Sequence, residues 1–278
     1  MSAGIRPAVA GDAEACGRVM YDALGGIADA HGFPPDFPSV EAGAQLAAML
    51  TAHPTVFGVV AEEDGRVIGS NFMAEGDTIR AIGPITVDPT HQGGGTGRRL
   101  MEAVLDRAQG SAGVRLVADA FNTRSVALYA SLGFEVREPL LLMRGTPRSR
   151  PAPGFAVRPL AADDIGACAR LCAAVHDVER TAELRDALHA FTPFAVERQG
   201  QMTGYLTAPS FWLANHGVAE TEADMRALLA GSAAASPEPV TFLLPMRQAS
   251  LLRWCLVKGM RVVKPMTLRG VWFPSVFY

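Results

Sequence analysis

A chain of 278 residues with 49% hydrophobic side chains is long for one ordinary domain and gives each of two halves enough apolar material for its own core. Its net charge of −3 supplies no basic field, which argues against nucleic acid as a partner. No apolar run reaches the ~18 residues a membrane span requires, and the acidic N-terminus MSAGIRPAVAGDAEAC lacks a signal-peptide core, so a soluble cytoplasmic protein is expected.

In chain order, a strand is expected near residues 4–9, a helix near 11–24 and a second helix near 39–52. His31 falls in the loop DAHGFPPDF between those helices. Strands are expected next near 55–62, 66–75 and 79–87, the first two joined by a turn at Gly65. A helix is expected at 95–109, a strand at 114–120, a helix at 122–132 and a last strand at 134–143. Hairpin strands in the middle and alternating helices and strands later predict an α/β fold, a mixed sheet covered by helices.

The stretch 144–155, RGTPRSRPAPGF, is rich in Pro, Gly and Arg and reads as a linker. The half of the chain after this linker repeats segments of the half before it. IRPAVAGDAEACGRVM at Ile5 matches VRPLAADDIGACARLC at Val157, VFGVVAEEDGRVIGS matches PFAVERQGQMTGY, and LGFEVREPLLLMRG matches KGMRVVKPMTLRG. Three similar segments in one order imply one unit written twice. The four cysteines include Cys168 and Cys172 one helical turn apart. No second Cys or His pair completes a metal site, so small buried thiols and no metal are expected.

Two segments carry chemistry. HQGGGTGRRL places Gly93, Gly94, Gly95 and Gly97 between a strand that ends at Asp88-Pro89 and a helix with Leu100, Val104 and Ala108 on one face. A helix start presents unpaired N–H groups and a partial positive charge, and missing side chains let a phosphate approach them. Arg98 and Arg99 add charge. The loop reads as a diphosphate cradle or as a bare surface turn. It is neither a nucleoside-triphosphate loop, lacking the lysine, nor a complete G-x-G-x-x-G, since position 100 is leucine. In NTRSVALYASLGF, Asn122 can cap a helix that carries Ser125, Leu128 and Tyr129 and ends at Gly133. Tyr129 alone would read as a half-buried aromatic on an amphipathic helix.

Together the two segments resemble the GNAT superfamily of acetyl-coenzyme A-dependent N-acetyltransferases. The family's Q/R-x-x-G-x-G/A loop appears as Gln92-x-x-Gly95-x-Gly97, and its N-x-x-[SA]-x-x-x-Y-x-x-x-G-F element runs from Asn122 to Phe134. The resemblance covers residues 4–145. It implies that Gln92, Gly93, Gly94, Gly95, Thr96, Gly97, Arg98 and Arg99 bind the coenzyme A diphosphate. It further implies that the main chain of Ile85 and Val87 holds the pantetheine arm, that Asn122 and Ser125 help hold the coenzyme, and that Tyr129 protonates the departing sulfur. The implied reaction moves acetyl from acetyl-CoA to a primary amine of a small molecule or peptide by direct attack in a ternary complex. A coenzyme A-binding sensor that has lost catalysis is the alternative. The strand before the loop, Ile82-Gly83-Pro84-Ile85, lacks the carboxylate that some members use as a base. Glu75 and Asp77 at the preceding turn, and His31, are the substrate-side candidates.

The resemblance divides the chain into a catalytic domain at 1–146, a linker at 147–154 and a degenerate copy at 155–278. In the copy, HGVAETEADMRALLAG puts Glu220, Glu222 and Asp224 where phosphates would sit, which disfavours coenzyme binding. Counting back from Gly259, Cys255 replaces Tyr129 and Gln248 replaces Asn122. The copy is left to pack on the first unit, wall the acceptor cleft or form a homodimer. Tyr205, Phe211 and Trp212 in GYLTAPSFWLANHG read as a buried strand, and the apolar end GVWFPSVFY as a docked tail.

Overall fold

A computed structural model describes residues 3–272. The apolar ending is described only as far as Trp272, so the expectation of a docked tail from Phe273 onward lies outside the described residues. The chain forms two compact units. One runs to Arg137 and resumes at Thr267; the other is Glu138–Met266.

The first unit contains β1 (Gly4–Pro7), α1 (Ala13–Ala30), α2 (Val40–Ala52), β2 (Val56–Glu63), β3 (Arg66–Ala74), β4 (Ile79–Val87), α3 (Thr96–Ala108), β5 (Gly113–Asp119) and α4 (Thr123–Ser131). Its sheet has the order β1-β2-β3-β4-β5-β12, with β12 (Arg261–Trp272) contributing its part from Thr267. Strands β1 to β4 are antiparallel neighbours, whereas β4 and β5 run parallel. The mixed sheet is covered on both faces. Leu100, Met101, Val104 and Ala108 of α3 pack with Ile82, Val114, Leu116 and Tyr129. Cys16 and Met20 of α1 and Ala47 of α2 pack with Val60 and Phe72. Truncating a side chain as buried as Leu100, 0% exposed, costs ~2–5 kcal/mol in such a core.

Helix α1 runs six residues past its expected end at residue 24, to Ala30. Gly25-Gly26 reads as a helix stop by propensity, but Ala28 is buried and tertiary packing carries the helix onward. The α1–α2 crossing is so close that a Cβ on Gly17 would lie 2.2 Å from the amide nitrogen of Ala44.

The second unit holds β6 (Glu135–Gly145) from Glu138 onward, β7 (Phe155–Pro159), α5 (Ile165–His176), α6 (Thr181–Ala190), β8 (Phe194–Arg198), β9 (Gln201–Leu206), β10 (Gly217–Ala219), α7 (Glu222–Ala235), β11 (Val240–Pro245), α8 (Ala249–Val257) and β12 as far as Met266. Within it the strand orders are β12-β6-β11 and β10-β9-β8-β7. Residues 146–154 form no regular element, yet the compact units divide inside β6 and inside β12 instead. Each half therefore gives part of its last strand to the other unit. The segment around Trp212 is not a strand: β9 ends at Leu206, and Phe211 and Trp212 lie in the turns before β10. Tyr205 alone of the three is fully buried, and Trp212 packs its ring 5.7 Å from Lys264 Nζ.

Candidate active site

The site begins with a separation of strands. Among the described residues, β4 and β5 pair only at Ile79↔Gly113, Arg80↔Val114 and Ala81↔Arg115. Beyond Ala81 they part, although β4 continues to Val87 and β5 to Asp119. The parting coincides with a register shift on β4's other edge, where Asn71 faces Ile85 but Met73 faces Ile82. Such a bulge bends a strand and re-aims its groups. The edge of β4 that includes Ile85 and Val87 is thus left unpaired by β5.

The glycine loop lies at the same end. Gly93 and Gly95 adopt φ of 88° and 82°, a region that costs a side-chain-bearing residue roughly 1–2 kcal/mol. Gly95 is the N-cap of α3, and no side chain caps that helix start. A Cβ on Gly93, Gly94 or Gly95 would meet no protein atom within 4 Å, so the space beside this backbone is available to a ligand. Thr96 is buried behind the loop, and a Cβ on Gly97 would touch Leu128 at 3.6 Å and Val87 at 3.7 Å. Gln92 does not hang free: its Nε2 donates to the Val87 carbonyl at 3.1 Å, and its Oε1 accepts from Arg124 Nη1 at 3.3 Å. Arg98 donates to Ser131 Oγ at 2.5 Å and lies 3.7 Å from Glu102. Arg99 donates to the Ala3 carbonyl, which ties its guanidinium to the start of β1.

Helix α4 comes after β5 at this end too. Asn122 caps it, its Oδ1 accepting from the Ser125 amide at 3.2 Å. Tyr129 is 5% exposed and tilts against Phe134 with ring centroids 6.0 Å apart. Burial pushes its phenol up to about 12, partly offset by a hydrogen bond with Ser125 and by the cation of Arg269, while Asp119 adds to the rise.

A scan against family models matches residues 28–134 to the Acetyltransferase (GNAT) family. The IAA acetyltransferase of Azospirillum brasilense is 33% identical over 109 residues, spanning 37% of this chain and 71% of that protein. The chain belongs to the GNAT acetyltransferase family. Its fold extends the likeness over nearly the whole length. A Pyrococcus horikoshii protein superposes with a TM-score of 0.75 at 14% identity, covering 98% of this chain and 90% of that one. A tandem GNAT protein from the clavulanic acid biosynthesis pathway gives 0.62 at 16% identity, covering 98% and 99%. The protein is thus an acetyltransferase by family and an α/β mixed-sheet GNAT by fold.

Glu75 and Asp77 lie apart from the glycine loop in this GNAT structure. Glu75 accepts from Arg80 at 3.1 Å and from Arg107 at 3.0 and 3.1 Å, so its carboxylate is clamped in place. Glu75 and Asp77 also precede the start of β4, whereas the glycine loop comes after its end. The strand's own length, roughly 26 Å at 3.3 Å per residue, lies between them. The sequence put them at the turn before β4 but could not show that the glycine loop lies at the strand's other end. Asp88 fixes the turn, accepting from the Thr90 amide at 2.9 Å. His31 is an exposed helix end: its Nδ1 donates to the Ile27 carbonyl at 2.9 Å, and its ring lies 5.1 Å from that of Phe121. Phe33 stacks on the same ring at 4.3 Å.

Three residues of the site escaped the sequence. Arg124 occupies a variable position of the Asn122 motif and became relevant only through Gln92. Asp119 ends β5 and is buried. Arg269, 4% exposed, comes from the far end of the chain. Its only signal was the shared Arg-Gly of the two repeated endings, and Arg144 in the first ending is exposed.

Proposed function

We propose that the first unit transfers acetyl from acetyl-CoA to a primary amine of a small molecule or peptide by direct attack in a ternary complex. One observation carries this reading: the parting of β4 from β5 meets the uncapped glycine start of α3 at the end where Tyr129 is buried. The N–H groups of the loop and α3 bind the diphosphate, helped by Arg98 and Arg124. The edge of β4 through Ile85 and Val87 receives the amide-bearing pantetheine arm and polarises the thioester carbonyl. Tyr129, oriented by Ser125, donates its proton to the sulfur as the C–S bond breaks. With Glu75 clamped at the far end of β4, no carboxylate of the chain is assigned as base, and the amine gives up its proton to water. Phe121, Phe33 and His31 form the aromatic rim on the acceptor side.

The second unit is read as a degenerate GNAT copy that binds no coenzyme. The hairpin turns correspond, with Asp64 and Gly65 at φ 50° and 76° and Gln199 and Gly200 at 54° and 74°. The helix starts do not. Where α3 has bare Gly95, α7 has Thr221 and Asp224 in a capping box, and Asp224 also accepts from Thr203 at 2.7 Å and Arg198 at 3.1 Å. A protein carboxylate already fills the place a phosphate would need.

Thiol release from acetyl-CoA, monitored against a panel of primary amines, tests the reading. Turnover with any of them supports it. Tight coenzyme binding with no turnover on any amine would favour the sensor instead.

A further inference from the structure

Arg269 is among the most buried ionic groups of the first unit. A guanidinium is rarely placed at 4% exposure without compensation, because removing it from water costs several kcal/mol. Its place is set by strand alternation. Thr267, Arg269 and Val271 share one face of β12. Thr267 Oγ1 donates to the Ala118 carbonyl of β5 at 3.4 Å, and Val271 packs on the cluster that contains Ala118, Tyr129 and Phe134. Arg269 lies between those two anchors, its Nε donating to Thr267 Oγ1 at 3.1 Å. Its charge therefore acts on the Tyr129 phenol from β12, Asp119 acts from β5, and Ser125 hydrogen-bonds it from α4.

Resting on the transfer reading above, we propose that Arg269 is a positioning residue for acetyl transfer: it stabilises the negative charge that Tyr129 acquires when it protonates the leaving sulfur. The amine nitrogen forms the C–N bond and the C–S bond breaks. The phenol proton goes to sulfur, giving free thiol. The amine's proton leaves to water, and the phenolate is reprotonated from solvent. An alkyl thiol ionises near ~8.5, so a phenol held near 12 is the weaker acid and its proton transfer is uphill. That value already contains the lowering effect of the Arg269 cation, so without it the phenol would be a still weaker acid and the transfer more uphill. The last strand of the second repeat thereby supplies an electrostatic group to the first unit's chemistry.

The test uses the full chain, acetyl-CoA and hydroxylamine, a small nucleophile that bypasses acceptor recognition. Arg269→Met and Arg269→Gln are expected to lower kcat about tenfold or more, with acetyl-CoA affinity by calorimetry held within about twofold, and Arg269→Lys to recover part of the rate. Placing 3,5-difluorotyrosine, a more acidic phenol, at position 129 should restore rate in the Arg269→Gln chain more than it helps the unsubstituted chain. A purely structural arginine would not respond to phenol acidity. As a second measurement, the 19F shift of that residue should titrate at higher pH in Arg269→Gln than in the parent, whereas a chain that failed to fold would expose the phenol and titrate lower. Unchanged kcat, or a titration that does not move, overturns the proposal while leaving the transferase reading intact. A parent chain that binds acetyl-CoA but releases no thiol with hydroxylamine overturns both.

Discussion

Arg158 repeats the grip of Arg6 almost atom for atom. Arg6 forks onto Asp12 with two contacts of 2.8 Å and gives its Nε to Glu62 at 2.7 Å. Arg158 forks onto Asp164 at 2.7 and 2.9 Å and gives its Nε to Glu197 at 2.8 Å. Both also reach the carbonyl of the next residue, a proline, at 3.2 Å. In each case the aspartate accepts from the amide three residues earlier, Val9 at 2.9 Å or Ala161 at 2.8 Å, and so pins the first strand to the start of the first helix.

This arrangement makes both units acid-sensitive. Hydrogen bonds from Arg6 and Arg158 hold the carboxyls of Asp12 and Asp164 below the ordinary aspartate value, against the opposing effect of burial. A depressed folded-state pKa stabilises above the unfolded value of ~3.9, and the contribution is lost as pH falls through the lower folded value. Asp12→Asn should cost about 1–2 kcal/mol at pH 7, the low side for a charged hydrogen bond because Arg6 is 38% exposed and solvent screens it. The deficit should shrink towards pH 3. Urea unfolding of both chains at the two pH values measures it, and an equal deficit at both would show that charge is not the cause.

Gly95→Glu should abolish acetyl-CoA binding, and Gly95→Ala should weaken it. The first puts a carboxylate in the space beside the helix start and the second strains a backbone at φ 82° by roughly 1–2 kcal/mol. Because the added Cβ meets no protein atom, the fold itself should survive, with a melting temperature lowered only by the backbone strain, by about 2–8 °C. Calorimetric titration with acetyl-CoA reads the loss; unaltered affinity in the glutamate chain would remove the cradle.

Much of the first unit was legible because its signals are local. The strands expected at 55–62, 66–75 and 79–87, with a turn at Gly65, lie within one residue of the observed Val56–Glu63, Arg66–Ala74 and Ile79–Val87, and α3 and α4 follow from Gly95, Asn122 and Gly133. The Gln92 and Asn122 motifs lie on loops and helix starts whose backbone needs are written in single residues. What was hidden depends on distant partners. Nothing near Glu75 indicates that Arg80 and Arg107 clamp it at the opposite end of β4. Nothing near Arg269 indicates that β12 lies beside β5, since strand exchange is decided by which edge captures the last strand and not by its own sequence.

Tyr129→Phe should lower kcat by about 100-fold or more with little change in acetyl-CoA affinity, because general acid catalysis is typically worth ~10²–10⁴ and the ring keeps its packing. The pH profile gives an independent check. A phenol held near 12 by burial stays protonated throughout the working range, so it contributes no falling limb below about pH 11. With the amine left to deprotonate in water, the rate should instead climb with pH towards the acceptor's own pKa, ~10.4 for a simple alkylamine. A bell-shaped profile centred near neutrality would point to a side-chain base in place of water.

The exchange of last strands makes a specific claim about truncation. A fragment of residues 1–146 contains both GNAT motifs and would be the natural piece to isolate from the sequence. In the structure it lacks Thr267–Trp272, the strand next to β5, and retains a β6 whose residues from Glu138 belong to the other unit. The edge of β5 would then carry unpaired backbone groups, Ala118 would lose its bond from Thr267, and Val271 would no longer cover the cluster around Tyr129. Exposed apolar edge strands of this kind promote association. The fragment should therefore be aggregation-prone or melt well below the full chain, and should bind acetyl-CoA weakly if it binds at all. Appending residues 267–272 through a flexible linker should recover part of the lost stability, whereas the same linker carrying a scrambled strand should not. Thermal melting and calorimetry on the three chains decide the matter. A bare 1–146 fragment that melts and binds like the full protein would mean that β12 is dispensable and that the first unit closes its own sheet.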